Sequence, residues 1–330
     1  MSKQIGIPAG VVTTLASVAF VLSWSSGFVG AKLGTGQAPV PTLLLWRFVV
    51  VVATLGVALG VARLAHRRRR RAPRPSPGAG AATLLAPPRV TAHHVVVGLL
   101  SQVGYVLPVY GAIALGVSTG ATSLVDAVQP VLVATLVGPL LGQRVRRLQW
   151  AGLGTALAGV TVLVAADLRV TSAPAWAYAL PVAAVAALVA ATFLERRRPA
   201  DVPAAPAVPM LALHATVAAL ALSVLALVTG TALPPADADF WVSTVFLALV
   251  PSLAAYGLYW SLLRRVDVTT LNALLFLVVP TTTLAGAALF GEPLSPATGA
   301  GLALSGLGVA AVLRGEARRR RENADGPPRP

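Results

Sequence analysis

Ten long, mostly apolar stretches, separated by short polar connectors, constrain this chain more than any other feature of it. A helix needs about 20 apolar residues to cross the hydrocarbon core of a bilayer. No water is available there, so every backbone polar group must be satisfied within the protein, which leaves helices and closed barrels. The stretches lack the strict alternation of barrel strands and therefore predict helices. They fall at about 9–29, 41–62, 94–115, 119–141, 149–166, 174–194, 207–229, 240–263, 269–290 and 297–313, the fifth and tenth being the shortest. The first is too long for a cleaved signal peptide, and its only positive flank is Lys3.

Composition agrees. Hydrophobic residues make up 56% of the 330, and charged residues only 11%. A soluble domain carries about 25% charged residues and needs a polar skin to cover its core. The net charge of +15 sits in short clusters between apolar runs, which argues against a nucleic-acid partner. With no cysteine, disulfides, thiolate metal sites and cysteine nucleophiles are excluded.

Lys and Arg concentrate in cytoplasmic loops. With the N-terminus inside and the spans alternating, 23 of the 26 basic residues fall inside and only Lys32 and Arg169 outside; Arg47 lies within the second span. Both termini are thus expected in the cytoplasm. The 63–92 segment combines an Arg run with five prolines. It reads as a flexible basic linker that anchors topology and lies against anionic headgroups of membrane lipids. The 315–330 segment reads as a similar basic tail.

A shift of 149 residues aligns Tyr110 with Tyr259, Gly142 with Gly291, Gly152 with Gly301 and Gly159 with Gly308, while Pro130 and Pro280 miss the register by one. Spans three to five thereby match spans eight to ten. Five spans per half is an odd number, so the second half must enter the membrane upside down. The loop at 143–148 carries three Arg, and its counterpart at 292–297 carries Glu292 and no base, as inversion requires. The predicted fold is an all-α membrane protein of ten transmembrane helices in two inverted five-helix repeats, 9–166 and 174–314. Inverted repeats of this kind build secondary transporters, with the substrate site at the repeat interface.

The stretches WSSGFVGAKL (24–33), TLLLWRFVVV (42–51) and LFGEPLSPATGAGLALSGLGVAAVL (289–313), with Pro130 followed by Gly142 and Gln143, resemble the EamA-type members of the drug/metabolite transporter superfamily. The resemblance covers about 9–314. It implies a ten-helix, multi-pass carrier in the cytoplasmic membrane that moves metabolites, amino acids or drugs, commonly outward. Two positions depart from the family pattern: Gln143, where Glu is frequent, and Asp126, where an apolar residue is usual.

Of the eleven acidic residues, Asp126 alone lies deep in a span. A charge there costs roughly 2.5–3.5 kcal/mol on insertion scales, so it should face a cavity or a partner. Gln129 shares its helical face. Asp126 is expected either to bind a proton or a cationic substrate group, or to be neutral and hydrogen-bonded between helices. Arg47 is the anion-binding candidate and the candidate partner of Asp126; the alternative is an Arg that snorkels to the outer headgroups. Trp24, Tyr105, Tyr110, Tyr256, Tyr259 and Trp260 are candidate pocket-lining aromatics, or ordinary interface anchors. Asn272 and Thr281 to Thr283 line the path or bond across helices. Pro108, Pro130, Pro181, Pro251 and Pro280 are expected to kink their helices. Gly56 with Gly60, and Gly138 with Gly142, form GxxxG pairs expected to pack helices closely within one molecule, leaving a homodimer open. Glu292 reads as a helix-end cap or ion-pair partner.

No HExxH, paired acidic cluster or phosphate-binding Gly-rich loop is present, which argues against an enzyme, an ATP-driven pump or a cofactor. The reading is a secondary transporter of a small-molecule substrate. A lipid flippase of the same fold and a non-transporting membrane scaffold are the alternatives.

Overall fold

The computed structural model describes residues 9–70, 90–129, 131–133, 136, 147–200, 202, 206–263, 265–266 and 268–325. Pro130, the Gly138–Gly142 pair, Gln143 and the 71–89 part of the linker lie outside them, as do the side chains of Trp260 and Asn272. The described residues are helical with short connections and contain no strand.

Helices α1 (Ala9–Thr35) and α2 (Val40–Arg70) are followed by α3, which runs from Ala92–Gly98 through a π-helical stretch Leu99–Val103 to Gly104–Ala114. Then come α4 (Thr119–Asp126), α5 (Arg147–Asp167), a 3₁₀ turn (Ala175–Tyr178) leading into α6 (Ala179–Arg196), and α7 (Ala207–Val228). Helix α8 again has three parts, Ala238–Leu247, a π-helical stretch Ala248–Ala254 and Ala255–Leu263; α9 (Val268–Phe290) and α10 (Pro296–Asp325) close the chain. Seven helices, α1, α2, α3, α5, α6 with its 3₁₀ turn, α7 and α8, are long and apolar enough to cross a membrane. Helices α9 and α10 contribute the shorter apolar segments Leu274–Phe290 and Pro296–Val312.

Two boundaries differ from the sequence expectation. Helix α2 continues through His66 to Arg70, and α10 continues through the basic tail to Asp325. Ala, Arg and Glu are good helix formers, so a helix already nucleated by an apolar span propagates through them.

The packing follows a pattern that a two-fold axis would produce. The partners α2–α7, α4–α9 and α5–α10 join elements five apart in chain order, and α1–α8 has its counterpart in α3–α6. The π-helical stretches of α3 and α8 begin at Leu99 and Ala248, which are 149 residues apart, the same shift that aligns the glycines. Those glycines meet in space. A Cβ placed on Gly152 would lie 2.7 Å from the Gly308 carbonyl oxygen, and one on Gly159 would lie 2.6 Å from the Gly301 oxygen. Ser305, between them, donates to the Ala156 carbonyl at 3.1 Å. Helices α5 and α10 therefore cross antiparallel at backbone contact, an approach that only residues without side chains permit.

Gly56 and Gly60 behave otherwise: a Cβ on either would meet nothing within 4 Å. Among the described residues the close packing expected for this pair is absent. Nearby Val57 and Val61 are exposed, as are Leu220, Val224 and Leu227 on α7 and Leu307 on α10. Such apolar faces suit lipid, which is as apolar as they are.

Candidate functional site

The two ends of the helix bundle are built differently. At one end α4 begins beneath two carboxylates. Glu292 accepts from the Thr119 backbone N–H at 3.1 Å and from its hydroxyl at 2.8 Å, and pairs with Lys32 at 2.5 Å. Asp167 accepts from the Ser118 N–H at 3.2 Å and from the Tyr178 hydroxyl at 2.5 Å. Acidic groups at a helix N-terminus satisfy free N–H groups and oppose the helix dipole. Glu292 folds against Gly286, where any Cβ would collide with its carboxylate. The space beside it is about 20 Å³, room for about one water. This end is sealed, and Glu292 is the cap and ion-pair partner its sequence position suggested.

Beneath the seal lies a cavity of about 940 Å³. Its lining extends to Glu195 and Arg198, whose side chains are 44% and 32% exposed, so at this second end it meets solvent. Tyr178 and Glu195 mark the two ends of α6 and its 3₁₀ turn, about 26 Å apart at helical rise, close to the thickness of a hydrocarbon core.

The cavity gathers most of the candidates read from sequence. Trp24, Arg47, Tyr105, Tyr110, Asp126, Gln129, Tyr256 and Tyr259 all line it. The π-helical stretch of α8 supplies Pro251 and Ser252 to the wall. Pro251 has no N–H for the Leu247 carbonyl, and the Ser252 hydroxyl takes that place at 2.7 Å. Pro108 and Pro280 lie inside α3 and α9.

Arg47 is 8% exposed and turned into the protein, not outward as snorkelling would require. Its Nη1 donates to the Tyr110 hydroxyl at 2.6 Å and its Nε to Ser252 Oγ at 3.0 Å. The guanidinium also lies over the rings of Phe48 and Tyr110. Three helices thus hold a planar cation in one orientation, with part of its five-donor fork uncommitted to these two bonds. Asp126, at the last turn of α4, lies against the Tyr105 hydroxyl, and its Oδ1 is buried without a hydrogen-bond partner among the described residues. No ion pair joins Arg47 to Asp126. An acceptor and a donor fork therefore stand apart in one cavity.

Much of the remaining lining is aromatic and aliphatic. Tyr259 stacks on Tyr256 with ring centroids 6.4 Å apart, and Phe20 tilts against both Trp24 and Tyr259. Sequence reading did not single out Ser101, Gln102, Ser252, Glu195 or His214, which also line the cavity. Ser101 and Ser252 sit in the π-helical stretches, whose extra residue per turn no hydropathy pattern reveals.

Comparison with known proteins places this architecture. A solved crystal structure superposes with a TM-score of 0.60, covering 92% of this chain and 97% of that one at 24% identity, and so shares the fold. A protein of Streptantibioticus cattleyicolor described as a probable terminal-alkyne amino-acid exporter is 28% identical over 310 residues, covering 93% of this chain and 95% of the relative. The model of the EamA-like transporter family matches residues 11–165 and 175–314. The chain is a multi-pass membrane protein that belongs to the EamA-like transporter family of the drug/metabolite transporter superfamily.

Proposed function

We propose that the protein is a secondary transporter that exports small metabolites, most readily amino acids, across the cytoplasmic membrane by alternating access. The observation that carries this reading is the cavity. It is about 940 Å³, of the size that drug-sized ligands occupy, and it is sealed at the Glu292 end and open to solvent at the Glu195 end. In the proposed topology the chain spans the membrane ten times as two inverted repeats with both termini inside. The open end then faces the cytoplasm, and the form described is the one that loads substrate.

The polar groups suit a zwitterion. Arg47 offers a fixed guanidinium for a carboxylate, and Asp126 offers an unpartnered oxygen for an ammonium group or a proton. The name of the Streptantibioticus cattleyicolor relative supports amino acids as the class. In this reading the Asp126 carboxyl couples export to the proton gradient. A proton and a substrate ammonium compete for the same oxygen, so protonation from outside displaces substrate there.

The test is uptake into liposomes that hold the purified protein, with neutral amino acids offered with and without a pH gradient. Accumulation driven by the gradient is expected. Asp126→Asn should reduce it at least tenfold and abolish its dependence on the gradient. Undiminished, equally pH-dependent transport by Asp126→Asn would remove the coupling role.

A further inference from the structure

Three residues of the cavity wall each bury a polar atom that has no hydrogen-bond partner among the described residues. One is Asp126 Oδ1; the others are Ser101 Oγ and His214 Nε2. Hydroxyls elsewhere in these helices turn back on their own backbone. Thr192 on α6, and Thr216 and Ser223 on α7, donate to the carbonyl four residues earlier at 2.8, 2.7 and 2.7 Å. Ser101 stands in the π-helical stretch Leu99–Val103 of α3 and makes no such bond. Buried polar groups are as a rule hydrogen-bonded, and a pair that is not, on the wall of a cavity, calls for a partner.

Ser101 and His214 lie on facing helices. Helix α7 packs on the π-helical stretch. A Cβ on Gly98 would come within 3.0 Å of His214 Cδ2 and 3.3 Å of its Cα, so His214 rests on the α3 backbone where glycine leaves room for it. Ser101 is three residues on, and side chains lean toward the N-terminus of their helix, which brings its hydroxyl back toward that ring. The level of this pair in the cavity can be read along α3. Tyr110 accepts from Arg47, and Tyr105 meets Asp126. Those two tyrosines are about 7.5 Å apart at helical rise, and Ser101 is about 6 Å beyond Tyr105 toward the open end. Guanidinium, carboxyl, and then hydroxyl with imidazole form a descending series.

A hydroxyl donates and accepts, and the imidazole nitrogen does one or the other according to its tautomer. A carboxamide or hydroxyl on a ligand can meet both in either case. An aliphatic group would leave both unpaired, and a site built on hydrogen bonds rejects the analogue that lacks them more strongly than an apolar pocket rejects by shape. The geometry points to a side-chain subsite: with the carboxylate of an amino acid at Arg47 and its ammonium at Asp126, Ser101 and His214 receive an uncharged hydrogen-bonding group at the end of its side chain. The substrate class narrows to neutral polar amino acids of about glutamine's length, which span the turn from Tyr105 to Ser101. This inference rests on the reading of Arg47 and Asp126 as the site of the zwitterion.

The test is titration calorimetry of the purified full chain in detergent with L-glutamine and L-norleucine, whose side chains are of similar length with and without a carboxamide. Glutamine should bind about tenfold more tightly, a difference of about 1.4 kcal/mol. Ser101→Ala and His214→Phe should each reduce that ratio severalfold. Arg47→Lys acts on the carboxylate that both ligands share, so it should weaken both and leave the ratio in place. Equal affinities of the wild type for the two amino acids overturn the subsite. So does binding of neither, and so does a ratio that Ser101→Ala and His214→Phe both leave unmoved. Uptake into liposomes separates this from the transport reading. A protein that carries both amino acids with equal apparent affinity loses the subsite and remains a transporter. One that binds glutamine selectively and moves neither keeps the subsite and is no transporter.

Discussion

Arg47 illustrates how a residue that is costly in lipid becomes useful once several helices share it. Its two hydrogen bonds go to α3 and α8, and its cation stands over two rings. A lysine in its place keeps the charge but loses the planar fork, the second bond and most of the stacking. Arg47→Lys is therefore expected to weaken the apparent affinity for a carboxylate-bearing substrate about tenfold, equivalent to about 1.4 kcal/mol. The maximal rate should change less. Tyr110→Phe removes only the hydroxyl that accepts from Nη1 and should fall between wild type and Arg47→Lys. The concentration dependence of uptake in liposomes separates the three. If Arg47 serves only to hold α2, α3 and α8 together, the lysine variant will lose maximal rate and thermal stability with no change in affinity.

At the scale of the element, the α5–α10 crossing depends on glycine in a way that can be measured. A Cβ on Gly308 would lie 2.4 Å from the Ala156 nitrogen and 2.5 Å from the Gly152 oxygen, both backbone atoms that cannot rotate away. Gly308→Ala must force the helices apart, and overpacking of this kind typically costs about 1–3 kcal/mol. Gly154, two residues from Gly152 on α5 and so on another face of the helix, meets nothing within 4 Å. Gly154→Ala should be neutral or slightly stabilising, since alanine is the better helix former. Thermal unfolding of the two variants in the same detergent is the measurement. Equal melting temperatures would mean that the crossing is not as close as the structure has it. The paired π-helical stretches carry the same lesson for function. Each inserts a residue into a long helix and re-aims the turns after it, and both bring Ser101 or Ser252 to the cavity wall.

Across the whole molecule the sealed and open ends define one conformational state, and the seal has an identifiable weak member. Glu292 is held by three contacts and its side chain is 10% exposed, whereas Lys32 is 30% exposed and sits at the end of a flexible stem. Lys32 is the bond that ties α1 to the α4–α9–α10 block at that end. Lys32→Ala should loosen the seal without disturbing the cap on α4. A cysteine at Thr283, buried beside the seal, then reports its opening. Labelling of Thr283→Cys by an impermeant maleimide should be severalfold faster with Lys32→Ala than without it. Unchanged labelling would assign closure to the uncharged contacts between α1, α8 and α9, and not to the ion pair.

Much of the architecture was legible in the sequence because the bilayer imposes it. A span must be long, apolar and internally hydrogen-bonded, so helix positions follow from hydropathy, and seven helices long and apolar enough to cross were found where the runs predicted them. The 149-residue repeat was legible too, since only glycine permits the backbone contact between α5 and α10, and its spacing survives in the letters. Several things were not legible. Helices α2 and α10 continue past the apolar runs, because helix propagation depends on propensity as well as hydropathy. Gly56 and Gly60 form a GxxxG pair, yet a Cβ on either would meet none of the described residues within 4 Å, because a motif does not state which face of its helix meets a neighbour. Hydropathy marked Asp126 and Arg47 as costly, but not that they would stand apart in one cavity with Tyr105 and Tyr110 beside them. Nor could it bring Gln102, Glu195 and His214, from three different helices, to the wall of one cavity. The solvent that surrounds a segment acts on composition, so the sequence alone determined the class of fold and where its long apolar helices lie. A site is made by side chains that converge from different helices, and only the tertiary packing decided which of them meet.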